Sequence, residues 1–144
     1  MNIPYWLLPG EANCSKCWQR KLPREVERLN PIVADLQTAA GIATVMRRIE
    51  EIGGIDLLVN NAGMAAGGDF LSTRLDGQLA AVHLNIEALV NLTHQTLKGM
   101  VERRHGAIIN VASVLAFQPF PHFAVYTGSK AFVLSFTEAL AEEL

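Results

Sequence analysis

Ile55-Asp56-Leu57-Leu58-Val59-Asn60-Asn61-Ala62-Gly63 is the stretch on which the fold turns. Ile55 to Val59, apolar apart from Asp56, has the length and aliphatic content of a buried strand, and it stops abruptly at two asparagines and a glycine. Just upstream, Gly53-Gly54 halts a helical pattern. Thr38 can cap that helix, which runs to about Ile52 with Ile42, Val45, Met46 and Ile49 on one face. Before it, Ile32-Val33-Ala34 reads as a short buried strand ending at Asp35-Leu36. Strand, helix, strand implies a right-handed parallel crossover and hence an α/β architecture.

Downstream, Met64 to Asp69 has the small, flexible composition of a loop over a ligand site, and one long helical region is expected from about Ser72 to Arg103. Its leucines, valines and isoleucine make more than one apolar stripe, so one face is expected on the sheet and another against a partner surface. Glu102 to Gly106 reads as a charged, solvated turn, and Ala107 to Val111 as a third buried, parallel strand. After Ser113, the apolar Val114 to His122 with Pro119 and Pro121 suits either a wall beside an apolar substrate or a packed loop. Phe123 to Leu144 then reads as a helix, apolar almost all round, that calls for burial on two sides.

That last helix carries Tyr126 and Lys130 four positions apart, on one face, so phenol and ammonium can reach the same small volume. A phenol ordinarily titrates near ~10, and a cation within about 4–6 Å favours the phenolate, which makes a useful proton donor and acceptor. Ser113, delivered from a strand end, can offer a hydroxyl to the same carbonyl oxygen. Taken alone, Tyr-x-x-x-Lys also describes ordinary surface residues of an amphipathic helix.

The order of motifs is more specific than any one of them. Asn60-Asn61-Ala62-Gly63 after a strand, Asn85 midway along the next helical segment, Ser113 after the following strand, and Tyr126 with Lys130 together resemble the short-chain dehydrogenase/reductase family, over roughly Pro31 to Leu144. The resemblance implies a Rossmann-like parallel sheet flanked by helices. It also implies NAD or NADP as cofactor, and a small-molecule substrate interconverted between an alcohol and a ketone or aldehyde. In that scheme Tyr126 is the general acid in reduction and base in oxidation, and Lys130 lowers its pKa and holds the nicotinamide ribose. Ser113 orients the carbonyl, and Asn85 holds a water that relays protons to the lysine. Asp35-Leu36 falls where the family contacts adenine. Asn61, Ala62 and Gly63 border the cofactor ribose, the motif also bracing the sheet. Family members form dimers or tetramers, which implies a homo-oligomer through helices 72–103 and 123–144.

Each of these residues also has a plainer role open to it. Asp35 suits a nearby helix start through the helix dipole, Asn and Gly are common turn formers, and Asn85 can satisfy a local backbone carbonyl.

Against the family plan, the chain holds strands three to five and is expected to be truncated at both ends. It has no Gly-x-x-x-Gly-x-Gly loop among its first thirty residues, and it stops inside the helix before strand six. In the family sheet, ordered 3-2-1-4-5-6-7, the missing strands lie between Ile32–Ala34 and Ile55–Val59. Either those two pair directly, or the N-terminal residues fill the space, or hydrogen-bonding edges stay open. Two functions of different class follow: an NAD(P)-dependent oxidoreductase, or a non-catalytic remnant that keeps the core and the oligomer-forming helices without holding a dinucleotide.

Composition excludes several classes. At 144 residues and half hydrophobic, the chain suits one globular domain, with residues 1–30 an irregular segment and 31–144 the partial Rossmann-type domain. A net charge of −2 with no basic stripe speaks against nucleic acid. Tyr5-Trp6-Leu7-Leu8 is too short for a membrane span, and with no basic leader the cytoplasm is the expected compartment. Cys14 and Cys17 form one Cys-x-x-Cys without the further ligands a zinc site needs, so they read as reduced, incidental thiols and no metal is expected.

Overall fold

A computed structural model describes the backbone of Leu7–Leu8 and all of residues 30–144. Cys14, Cys17 and the remainder of the N-terminal segment lie outside the described residues. In chain order the elements are β1 (Leu7–Leu8), β2 (Ile32–Val33), α1 (Ala39–Glu51), β3 (Leu57–Asn60), α2 (Leu75–Val82), a π-helical turn (His83–Glu87), α3 (Ala88–Arg103), β4 (Ala107–Asn110), a short 3-10 turn (Val114–Ala116) and α4 (Ala124–Glu143).

Local chemistry sets both ends of α1. The Thr38 hydroxyl accepts from the Gly41 amide at 3.0 Å, satisfying one of the four amides that a helix start leaves open. Gly41 is obligatory there, because a Cβ at this position would lie 1.9 Å from the Asp35 carbonyl oxygen. At the other end Gly53 takes φ +79°, and the Gly54 amide reaches back to the Ile49 carbonyl at 2.9 Å, closing the helix with a left-handed cap.

The strands form two parallel pairs. Leu57 to Asn60 of β3 run in register with Ala107 to Asn110 of β4. Ile32–Val33 pairs with Leu7–Leu8, not with β3. Of the three arrangements open from sequence, the N-terminal segment thus supplies a partner for β2, and no ladder joins β2 to β3 among the described residues. One core unites the halves: Ala34 and Leu36 beyond β2, Ile42, Val45 and Met46 of α1, Leu58 of β3, and Ala88, Leu92 and Met100 of α3.

The sheet is one-sided, which corrects the expectation of strands buried on both faces. Leu58 and Asn60 are buried under the helices, while Leu57, Val59 and Ile109 on the opposite face stay 50%, 45% and 50% exposed. Alternate side chains of a strand point to opposite faces, and α1 and α3 both pack on the Leu58 side. The second correction concerns the long helical region. It starts at Leu75, not Ser72, and is broken by the π turn, where the Ala88 amide bonds the His83 carbonyl five residues back. One extra residue in a turn rotates everything after it by about 100°, so the two apolar stripes read from sequence belong to separate helices, α2 and α3. The third concerns α4, which buries only Thr127, Ser129, Lys130 and Val133; Phe132 stays exposed, stacked on Phe136 at 5.6 Å.

Candidate active site at the strand ends

β3 and β4 are parallel, so their C-terminal ends open side by side, and in open α/β sheets this is where ligands bind. Two asparagines mark these ends, and they brace the site. Asn60 donates to the Thr93 hydroxyl of α3 at 3.0 Å and to the Asn110 side-chain oxygen at 2.8 Å. Asn110 in turn donates to Thr137 of α4 at 2.9 Å. Strand β3, strand β4, α3 and α4 are therefore tied by one polar network in which Asn60 and Thr93 are buried. Such networks fix relative position because every buried donor has a partner only in one arrangement.

Just past this brace, Asn61, Ala62 and Gly63 are exposed at the end of β3. Met64 follows, and its backbone is held at both ends by one side chain: the Met64 amide donates to Asn85 Oδ1 and its carbonyl accepts from Asn85 Nδ2, each at 2.8 Å. Asn85 sits in the π turn, only 2% exposed. The second Nδ2 proton goes to the Ser129 hydroxyl at 2.9 Å, and Ser129 donates to the Tyr126 carbonyl at 2.7 Å. The plainer reading of Asn85, a bond to a local carbonyl of its own helix, does not hold, since its partners are 21 and 44 residues away.

Lys130 is buried to 6% exposure, and its Nζ donates to the Val111 carbonyl at 2.7 Å. Burial pushes the ammonium below the usual lysine pKa. Gly63 lies against the same group, for a Cβ there would come within 3.2 Å of Asn85 Oδ1 and 3.5 Å of Lys130 Nζ. Gly63, Asn85, Ser129 and Lys130 thus form one cluster. Tyr126 rises from the first turn of α4, half-buried, with its ring edge-on to Phe123 at 6.4 Å. Its phenol makes no hydrogen bond among the described residues. Ser113 accepts from the Leu115 amide at 3.2 Å and so caps the 3-10 turn ahead of α4.

The remaining candidates sit apart by their bonds. Asp35 is engaged locally, accepting from the Gln37 amide at 3.0 Å and, through its carbonyl, from Thr38. The Leu36 side chain belongs to the core at 6% exposure.

The family model for short chain dehydrogenases matches residues 10–144. The chain belongs to this family. Acetoacetyl-CoA reductase of Allochromatium vinosum is 33% identical over 136 residues, a match covering 94% of this chain and 55% of that protein. Mouse 17-beta-hydroxysteroid dehydrogenase type 3 is 42% identical over 92 residues, covering 62% of this chain and 30% of the relative. Among solved structures, a short-chain dehydrogenase from Sphingobium yanoikuyae in complex with NADPH superposes with a TM-score of 0.87 at 31% identity, covering 97% of this chain and 55% of the other. The chain thus spans between about a third and about half the length of these relatives. It shares their Rossmann-like α/β fold in part. No helix among the described residues is long and apolar enough to cross a membrane.

Sequence reasoning did not single out Ser129, Asn110 or Thr137. Asn110 carried a usable signal, since it ends its aliphatic run as Asn60 ends the other. Ser129 carried a fainter one, a small polar residue inside the Tyr-x-x-x-Lys spacing.

Proposed function

We propose that the chain carries the proton-transfer half of an NAD(P)-dependent oxidoreductase that interconverts an alcohol and a ketone or aldehyde. Tyr126 gives its phenolic proton to the carbonyl oxygen in reduction and takes it back in oxidation. Lys130 supplies the positive charge that favours phenolate and holds the nicotinamide ribose, Ser113 orients the substrate oxygen, and Asn85 fixes the relay behind Lys130. The observation that carries this reading is the buried lysine: a cation taken out of water at a strand end, bonded to one carbonyl, beside a glycine whose missing Cβ leaves the approach open. Burying an ammonium with a single carbonyl partner is costly, which supports a functional use for it.

The residues fit the ribose end of a dinucleotide. Asn61, Ala62 and Gly63 are exposed at the strand end, and a Cβ on Gly63 would press on Asn85 Oδ1 and touch the ammonium of Lys130. When bound, the cofactor supplies the hydride. Asp35 and Leu36 remain the proposed adenine contacts, Leu36 through its backbone because its side chain is in the core. The exposed apolar Val114, Phe117 and Phe120 support an apolar substrate. Leu75, Leu79, Val101 and Phe132, exposed on α2, α3 and α4, support a homo-oligomer through the helices of residues 72–103 and 123–144.

Titration of the purified chain with NADPH and NADH, followed by cofactor fluorescence, tests the reading. Saturable binding that Lys130→Ala weakens is the expected result. No binding at millimolar cofactor supports the competing reading of a non-catalytic remnant.

A further inference from the structure

Ser129 is not a member of the proton-transfer set above, yet it bonds Asn85 directly and lies between Tyr126 and Lys130 in the chain. It is 2% exposed, and its hydroxyl is used in both directions. The direction of each bond is decided by the neighbours. Met64 presents an amide and a carbonyl to Asn85, and only one orientation of the Asn85 amide satisfies both, with Oδ1 on the amide and Nδ2 on the carbonyl. Nδ2 therefore faces Ser129 as a donor, Ser129 Oγ must accept, and its own proton is left for the Tyr126 carbonyl, 2.7 Å away.

This chain of bonds runs from the loop after β3, through the π turn, to the backbone of the tyrosine. The Tyr126 ring meets Phe123 edge-on, and its phenol has no hydrogen bond among the described residues. Where the phenol stands is consequently set by where its backbone is held. Lys130, one residue beyond Ser129, is tied to β4 through Val111. The two ends of the Tyr-x-x-x-Lys spacing are thus anchored to different segments, Lys130 to Val111 just past β4 and Tyr126, by way of Ser129 and Asn85, to Met64 in the segment leaving β3.

We propose that Ser129 is a positioning residue: its hydroxyl, gripped by Asn85, ties the first turn of α4 to the π turn and to Met64, and so sets the place of the Tyr126 phenol relative to Lys130. The proposal rests on the reading of Tyr126 as the proton-transfer group. It predicts that removing one oxygen atom distant from the phenol displaces the phenol.

The full chain carries two tyrosines, so Tyr5→Phe leaves Tyr126 as its sole phenol. In that background, labelled with tyrosine carrying carbon-13 at Cζ, the Tyr126 signal at neutral pH reports the surroundings of the hydroxyl. Ser129→Ala is expected to displace the signal by more than a linewidth. Ser129→Cys, which keeps the volume with a poorer hydrogen-bonding atom, is expected to do the same, and covers the case in which the alanine variant does not fold. Ser129→Thr, which restores a hydroxyl, should return the signal to within a linewidth of the parent. A lowered melting temperature with the signal in place would assign Ser129 to packing alone and overturn the proposal, as would equal displacement by Ser129→Thr and Ser129→Ala. Lys130→Ala in the same background tests the underlying reading separately. If it leaves the Tyr126 signal unmoved, the phenol and ammonium do not share a site, whatever the Ser129 series shows.

Discussion

Replacing Asn60 by alanine removes both bonds of a buried donor, to Thr93 at 3.0 Å and to Asn110 at 2.8 Å. A typical intramolecular hydrogen bond contributes about 1 kcal/mol net, and a buried polar atom left without a partner costs about 1–3 kcal/mol. Asn110 Oδ1 loses its donor. Thr93, 1% exposed, also loses the donor to its hydroxyl oxygen. The loss is therefore expected at roughly 2–4 kcal/mol. With a urea slope of about 2 kcal/mol per molar, the middle of the range for a small domain, the unfolding midpoint should fall by roughly 1–2 M. The experiment is a double-mutant cycle with Asn110→Ala, read by urea denaturation. Because the two side chains are bonded to each other, the double variant should lose less than the sum of the singles, with a coupling of about 0.5–3 kcal/mol. Asn60→Asp adds a control of nearly equal volume, since a carboxylate cannot donate and would set an acceptor against Asn110 Oδ1. A loss below about 0.5 kcal/mol for Asn60→Ala, the level of an ordinary surface change, or strict additivity in the cycle, would refute the idea that this network ties the strand ends to α3 and α4.

Leu58→Ala should cost about 2–5 kcal/mol, as a large-to-small change in a core, whereas Leu57→Ala, one residue along but half exposed, should stay within about 0.5 kcal/mol; equal losses would contradict the one-sided sheet. Gly41→Ala, with its Cβ 1.9 Å from the Asp35 carbonyl, should destabilise by about 1–3 kcal/mol in thermal melts despite alanine's better helix propensity, because the cap must open to admit it. Burial depresses the folded-state pKa of Lys130, so between that value and the ordinary lysine value of about 10.4 the unfolded chain binds more protons and stability rises with pH. The penalty is fully present below the depressed value. Lys130→Met should remove that alkaline rise, and a parent and variant whose stabilities run parallel across the window would show the ammonium to be unperturbed.

Much of the fold was legible because its signals are local. Thr38 and Gly53-Gly54 bracket α1 through bonds within a few residues, and they lie where the sequence puts them. The strand pattern around Leu57 to Asn60 and Ala107 to Asn110 is equally local, with ends displaced by one or two residues. Burial was misread where it depends on partners: Val59 and Ile109 look like core from composition, yet among the described residues no helix covers their face. The π turn was hidden too. A five-residue hydrogen bond at His83 to Ala88 leaves no mark in hydrophobic spacing, and the turn carries Asn85, whose partners Met64 and Ser129 are remote in sequence.

The amino-acid order by itself determined the alternation of helix and strand, the helix caps, the family resemblance, and the spacing that sets Tyr126 and Lys130 on one face. Those follow from steric and hydrogen-bonding preferences within a turn or two of chain. Only the tertiary structure decided that Lys130 bonds Val111, that Asn60 and Asn110 meet across the sheet, and that Ser129 joins Asn85 to the Tyr126 backbone. A hydrogen bond between residues 44 apart exists only once strands are in register and helices are packed, so no local pattern encodes it.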